Sequence, residues 1–369
     1  MEEPEELLLR LLACAGLVAM CLSACAGPPA ERLKVKPVVP LRAMPFALED
    51  VRLLDGPFKH AMDLNADYLL KLEPDRLLHN YRKFAGLDPK AEGYGGWETR
   101  GIAGHSLGHY LSACSLMYAS TGNPRFRDRV NYIVDELKLC QDANENGYVA
   151  GIPDGQRVFA EVAAGNIRTK PFDLNGVWVP WYNLHKLFAG LIDAHRYCNS
   201  EKALMVAVRL AYWAMATTSE LNEEQFQRML ACEHGGMNEV LAKLYAITGN
   251  REYLKLSRRF HHKAVLDPLA NRVDCLPGLH ANTQIPKLTG LARRYELTGD
   301  EKDGVAADFF WDRVVNHHSY VTGGHCNREY FGPPAIPFWC TPGREAPSGS
   351  NCCARGSKTM KKSASCVQS

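Results

Sequence analysis

Five stretches of the chain carry imidazole, amide or carboxylate groups at spacings that suit ligand chemistry. His105-Ser-Leu-Gly-His109 sets two histidines one helical turn apart, on one face. That spacing can hold zinc, but no Glu stands between them as in a zinc-protease pattern. We read the pair as helix-end histidines lining a pocket. Cys232-Glu233-His234-Gly235-Gly236 opens a helix, and its glycines let a ligand approach the backbone. Glu233 also suits a helix start on dipole grounds alone, so a structural role stands level with catalysis. His280-Ala-Asn282-Thr283-Gln284 crowds amide and imidazole groups at another helix start, and such groups match sugar hydroxyls as donors and acceptors. Tyr320-Val-Thr-Gly-Gly-His-Cys-Asn-Arg328-Glu329 is a glycine turn leading to a carboxylate, either a general acid or half of a surface pair with Arg328. His185 stands in a fifth stretch, Trp181-Tyr-Asn-Leu-His185. Trp97, Trp178, Trp181 and Tyr182 are aromatic surfaces on which a sugar ring can stack, although single aromatics more often fill cores.

The elements that must position these groups announce themselves by repetition. Tyr-x-x-Thr-Gly-Asn/Asp occurs at Tyr118–Asn123, Tyr245–Asn250 and Tyr295–Asp300, with a worn copy at Tyr197–Ser200. Glycine just past a helix end supplies a left-handed residue, and the Asn or Asp after it caps the next helix. Each copy therefore predicts helix, tight turn, helix. The tyrosines at 197, 245 and 295 are 48 and 50 residues apart, the length of a two-helix repeat with loops. A histidine precedes each turn, near the start of its helix: His105 and His109, His185, His234 and His280. If those helices run parallel as the inner layer of a closed helical toroid, the histidines gather at one rim. There the helix N-termini favour neutral imidazole.

The fold class that follows is all-α, an (α/α)6 toroid with minor short strands in loops. Helices are expected at 60–84, 105–119, 124–142, 183–197, 201–218, 222–230, 234–247, 251–259, 281–297 and 301–315. Leu48–Phe58 reads as a short strand and turn, and residues 144–181 as a loop. The 369 residues are 46% hydrophobic and 23% charged with a net charge of +2, which is ordinary for a globular protein and gives nucleic acid no basic surface. Residues 1–30 read as an export segment ending in Leu22-Ser23-Ala24-Cys25, a lipoprotein cleavage box with Cys25 as the lipidated residue and membrane attachment point. Its acidic start, Glu2-Glu3-Pro4-Glu5-Glu6, departs from the usual positive charge. The product would be exported, as a periplasmic or outer-surface lipoprotein. Residues 31–45 read as a linker, 46–334 as a partial barrel, and 335–369 as an aberrant or disordered tail. Cys114, Cys140, Cys198, Cys232 and Cys275 are scattered singly and read as small core hydrophobes.

Taken together, Gly95-Gly-Trp-Glu-Thr-Arg-Gly…Gly104-His-Ser-Leu-Gly-His-Tyr, Trp181-Tyr-Asn-Leu-His-Lys-Leu, Glu233-His-Gly-Gly-Met-Asn-Glu, His280-Ala-Asn-Thr-Gln-Ile-Pro-Lys and Tyr320-Val-Thr-Gly-Gly…Arg-Glu-Tyr-Phe-Gly-Pro-Pro resemble glycoside hydrolase family 127. The resemblance covers about residues 46–334. It implies an (α/α)6 barrel and retaining hydrolysis of non-reducing-end β-L-arabinofuranosides in an arabinose-containing glycan. It implies Glu329 as general acid/base, and His185 and His280 as contacts to sugar hydroxyls. The family's nucleophile is a zinc-bound cysteine thiolate, whose ligands come from a Glu-x-Cys pair and a later Cys pair. After Pro334 this chain has no such Glu-x-Cys, and Cys352-Cys353 is a poor stand-in only 24 residues beyond Glu329 at its second cysteine. The expectation is therefore a C-terminally truncated barrel without the zinc ligands, with little or no turnover. Two other readings stay open. One is a metal-independent (α/α)6 sugar epimerase or unsaturated uronide hydrolase working through His109 or His280. The other is a glycan-binding lipoprotein without catalysis.

Overall fold

The Tyr-x-x-Thr-Gly-Asn/Asp phrase folds the same way each time. In the computed structural model, which describes residues 33–334, Gly122, Gly249 and Gly299 take φ values of 70°, 75° and 71°. Each donates its N–H to the tyrosine carbonyl four residues back, at 2.8 Å. The next side chains, Asn123, Asn250 and Asp300, accept the N–H of Arg125, Glu252 and Lys302. One glycine–polar pair thus ends a helix and starts the next. In the worn copy Asn199 takes the left-handed place at φ 55°, and Ser200 caps onto Ala203.

The described elements are α1 (Pro57–Lys71), α2 (Pro74–Phe84), α3 (His105–Thr121), α4 (Pro124–Ala143), α5 (Gly155–Ala163), β1 (Thr169–Lys170), β2 (Asp173–Leu174), β3 (Val177–Trp178), α6 (Pro180–Cys198), α7 (Glu201–Thr218), α8 (Glu223–Leu230), α9 (Met237–Thr248), α10 (Arg251–Arg259), α11 (Lys263–Ala270), α12 (Ala281–Thr298) and α13 (Glu301–Asp312). Helices α3, α6, α9 and α12 pack side by side in that order, and each packs on the helix that follows it, giving successive inner–outer pairs. The three strands form a small antiparallel meander in the loop before α6. This is the all-α toroid class, with its strands confined to a loop.

Small residues set the spacing of the inner layer. A Cβ on Gly190 of α6 would sit 2.5 Å from the Gly108 carbonyl oxygen of α3, and one on Gly108 would collide with the Lys186 backbone. Backbone therefore meets backbone where α3 crosses α6. Between α9 and α12, Gly290 leaves room for the buried Asn238 side chain, whose amide donates to the Lys287 carbonyl at 2.8 Å.

Several expectations change. The single helix at 60–84 is two, because Pro74 keeps Glu73 out of helical geometry, and Leu72 before it is extended as well. Leu48–Asp50 is a 3-10 turn, not a strand. Residues 144–181 hold α5 and the meander as well as loop, and α11 was not foreseen. Helix α13 stops at Asp312 and continues as a π turn over Arg313–His318. Within the segment read as a linker, described from residue 33, the chain is tied down: Val35 donates to Ala246 O at 3.0 Å, and Val38 to Glu296 O at 2.8 Å. Four of the five scattered cysteines are buried, and Cys275 is half-buried, its thiol 3.6 Å from the Val265 carbonyl. No described helix is long and apolar enough to cross a membrane. The export segment with Cys25 and the tail with Cys352 and Cys353 lie outside the described residues.

Candidate active site

Helix starts do bring the predicted histidines to one end of the inner layer. His105 opens α3, His109 follows one turn later, and their rings meet edge-on with centroids 5.8 Å apart. His185 lies near the start of α6, His234 just before α9, and His280 is the N-cap of α12. Glu98 fixes the first of these starts. Its carboxylate accepts the Gly104 N–H at 2.7 Å and the Ser106 N–H at 3.3 Å, satisfying donors that a helix N-terminus leaves open.

The strongest juxtaposition joins α12 to the glycine turn. The Thr283 N–H donates to His280 Nδ1, so that nitrogen is an acceptor and the ring proton sits on Nε2. Nε2 lies 3.3 Å from Glu329 Oε2. The turn is held there by backbone pairing: Ala281 N–H donates to Glu329 O at 2.7 Å, and Phe331 N–H to Leu279 O at 2.9 Å. Arg328 and Glu329 both take left-handed conformations, φ 49° and 73°, which non-glycine residues hold only when their surroundings impose it. Glu329 thus reaches His280 with an exposed carboxylate, 70% accessible.

Glu233 stands between these groups and α6. Its N–H donates to Pro171 O at 2.8 Å, and Thr283 hydrogen-bonds its side chain. Burial raises its pKa, against the pull of His280, Lys287 and Lys186. Tyr182 is raised to about 12, by burial and then by the Glu233 charge. Lys186 Nζ lies 4.8 Å from the Tyr182 ring centroid. Two of the rim imidazoles, His109 and His185, are held neutral at physiological pH. Burial, then Lys186 and His105, bring His109 down to about 4 even though its ring opens to the lumen. Burial also lowers His185 well below its usual value, and its ring packs on Gly235 and Gly236, where any Cβ would collide with it.

Two predicted residues play other parts. His234 is fully buried against Phe260 and His262, so it builds the wall rather than lining the rim. Trp181 is also core, its Nε1–H 3.1 Å from the Met229 sulfur. Trp97 stays exposed and meets Trp178 edge-on at 5.4 Å, which leaves a usable aromatic surface at the mouth. The meander adds Phe172, whose ring contacts His280 at 5.1 Å, and Tyr330 flanks the same imidazole at 5.3 Å. Phe172, Tyr330, Lys186 and Lys287 were not singled out from the sequence. Only the meander had a local signal: Asn175-Gly176, both with positive φ, is the hairpin turn between β2 and β3, and Phe172 sits in the opposite turn, between β1 and β2.

No group of three or more His, Cys, Asp or Glu among the described residues is arranged to hold a metal ion. Cys232, close to Glu233, is buried and its thiol is pushed up, the reverse of an activated thiolate. The described residues therefore do not fit a zinc–thiolate centre.

The family described as β-L-arabinofuranosidase, GH127 catalytic domain, matches residues 50–347. The chain is similar in structure to Ara127N-Se, a GH127 β-L-arabinofuranosidase from Geobacillus stearothermophilus T6, with a TM-score of 0.56 and 18% identity over 78% of this chain and 48% of that one. It is also similar to the GH127 β-arabinofuranosidase BT3674, with a TM-score of 0.54 and 16% identity over 82% of this chain and 48% of that one. It spans about half the length of these solved structures. No curated protein matches it. The family match over most of the chain, together with a toroid whose helix starts converge on His280 and Glu329, makes this chain a member of the GH127 β-L-arabinofuranosidase catalytic-domain family of glycosidases.

Proposed function

We propose that the described residues form the sugar-binding and proton-transfer side of a glycosidase site for non-reducing-end β-L-arabinofuranosides in arabinose-containing glycans. The observation that carries this reading is the His280–Glu329 contact at the start of α12, beside Glu233 and Tyr182. Glu329, protonated, gives its proton to the glycosidic oxygen as the bond to the leaving group breaks. The carboxylate so formed accepts the His280 Nε2–H, which stabilises the charge. Water forms the new bond to the anomeric carbon and gives up its proton to the same carboxylate, which restores the acid. Glu233, His109, His185 and Tyr182 offer acceptors and donors to the ring hydroxyls, and Trp97 an apolar face. When bound, the family's zinc would activate a thiolate nucleophile, a group that these residues do not supply. Export through residues 1–30 with lipidation at Cys25 would place such a site at a glycan-bearing surface.

The test is calorimetric titration of the full chain with methyl β-L-arabinofuranoside. Saturable binding is expected, weakened about tenfold or more by His185→Ala and His280→Ala, the scale of one or two lost hydrogen bonds. No binding at millimolar sugar would overturn the reading.

A further inference from the structure

The glycine turn that carries Glu329 is gripped from behind as well as from α12. The π turn after α13 ends on His318, whose side chain is 1% accessible. Its Nδ1 lies 2.9 Å from the Gly332 carbonyl oxygen, three residues past Glu329. Its Nε2 lies 3.1 Å from Asp274 Oδ2. A carbonyl oxygen and a carboxylate only accept, so the two bonds require a proton on each ring nitrogen. The ring that makes both is an imidazolium, and the carboxylate beside it is its counter-charge.

Asp274 is itself held. The Arg313 Nε–H donates to the same Oδ2 at 2.9 Å, and the Leu276 N–H to Oδ1 at 3.2 Å. Burial works against the Asp274 carboxylate, but His318, Arg313 and Leu276 outweigh it and bring its pKa down to about 2. From Asp274 the chain runs through Gly278 and Leu279 to His280. The Gly278 N–H donates to Phe331 O at 2.9 Å, and the buried Phe331 ring meets His318 edge-on with centroids 5.5 Å apart. One imidazole thus joins three passages of chain: the π turn after α13, the segment leading into α12, and the return from Glu329. The other titratable or charged groups here are Arg313 and His317 on its own turn, His325 and Cys326 in the glycine turn, and Cys275 next to Asp274. His317 turns instead to Asp312, at 3.6 Å, and His325 packs on Phe331.

We propose that His318 is a positioning residue for Glu329: as an imidazolium between Asp274 and the Gly332 carbonyl, it fixes the return of the glycine turn against the segment that leads into His280. The Glu329–His280 contact then depends on a proton outside the sugar site. A neutral ring has one bare nitrogen, which turns a lone pair on an oxygen and releases either Gly332 or Asp274. The clamp is a property of the fold; its value to proton transfer rests on the function proposed above.

Amide hydrogen exchange and nitrogen-15 ring spectra of the full chain, without sugar, test the clamp. His318→Gln carries its donors on one atom and so reaches one acceptor only. Protection of the Ala281 and Phe331 amides, which bond to Glu329 O and Leu279 O, should fall about tenfold or more, the scale of one lost bond to a charged donor. The Gly122 and Gly249 amides, in turns that His318 does not touch, should keep theirs, which a general loss of stability would not allow. Asp274→Asn keeps an acceptor but removes the charge, so the pH at which the His318 ring gives up its second proton should fall by about one pH unit or more. If His318→Gln does not fold, the wild-type chain decides: its Ala281 and Phe331 amides must lose protection through the pH step at which the His318 ring gives up that proton. Unchanged protection of the two amides in folded His318→Gln, constant protection through that step, or an unmoved step in Asp274→Asn overturns the proposal. A wild-type chain that binds no sugar would strike the proposed function and leave these measurements standing.

Discussion

His280 Nε2 lies 3.3 Å from Glu329 Oε2, a contact that closes 49 residues of chain onto the start of one helix. The same imidazole caps that helix with its other nitrogen, by accepting from the Thr283 N–H. One ring therefore fixes both a helix end and a carboxylate. The two duties can be separated. His280→Ala should cost about 1 kcal/mol in urea unfolding, the usual loss of an N-cap. His280→Asn should recover most of that stability, because Asn caps well, yet leave sugar affinity as low as in His280→Ala. Recovery of affinity by Asn would show that the cap alone matters.

Glu329→Gln separates proton transfer from binding. It keeps the side-chain shape and an acceptor for His280 but cannot donate a carboxyl proton. The described residues supply no activated thiolate, so arabinose release from an alkyl β-L-arabinofuranoside is slow in the wild-type chain; in Glu329→Gln it should fall further, about 100-fold or more, with affinity changed far less. Equal loss of both would point to a binding role.

Acid should unfold this protein early. His234 is held near 3, and His185 and His262 well below their usual value, chiefly by burial. The unfolded chain takes up these protons near pH 6.5 and the folded chain does not. Stability is therefore full above about pH 6.5 and is lost as pH falls below it. For His234 the loss continues towards pH 3, with a slope of up to about 1.4 kcal/mol per pH unit for each imidazole. Urea midpoints measured from pH 7.5 to 5 should fall, and His234→Gln should flatten the trend by close to one proton. An unchanged slope would mean that His234 is protonated in the folded state.

The α3–α6 crossing should be intolerant of a single methyl group. Gly190→Ala places a Cβ 2.5 Å from the Gly108 carbonyl oxygen, backbone that cannot step aside without separating the helices. We expect a loss of about 1–3 kcal/mol, the range of overpacked cores. Gly122→Ala meets nothing within 4 Å and strains only the left-handed turn, so it should cost about 1 kcal/mol or less. Thermal unfolding of both variants gives the order.

Glu98→Ala removes the acceptor for two helix-start N–H groups of α3. A loss of about 1.5–3 kcal/mol is expected, as for bonds to a charged acceptor. His105, 3.5 Å from Glu98 Oε1, should lose its fixed orientation too, visible as broadened imidazole NMR signals.

Much of the frame was legible because it is written in local chemistry. The Gly–Asn/Asp turns depend on one left-handed residue and one cap, both of which a sequence displays. The placement of His105, His185 and His280 followed from those turns, and Glu329 from the resemblance to the family. What escaped depends on distant packing. Lys287 reads as an exposed helical lysine until His262 and Gln284 are brought to it. His234 and Trp181 carry the residue types of a binding site but are claimed by the aromatic cluster around Phe260. Helix α11 carries Pro268 inside it, a residue that argues against helix, and tertiary packing of Val265, Leu266 and Leu269 overrides the signal.

The lead-in segment crosses the far ends of the inner helices, where Val35 meets Ala246 and Val38 meets Glu296, while His280 and Glu329 stand at the near ends. Residues 33–39 therefore strap α9 to α12 at the floor of the bowl, and loosening that strap would free the inner layer from the side opposite the site.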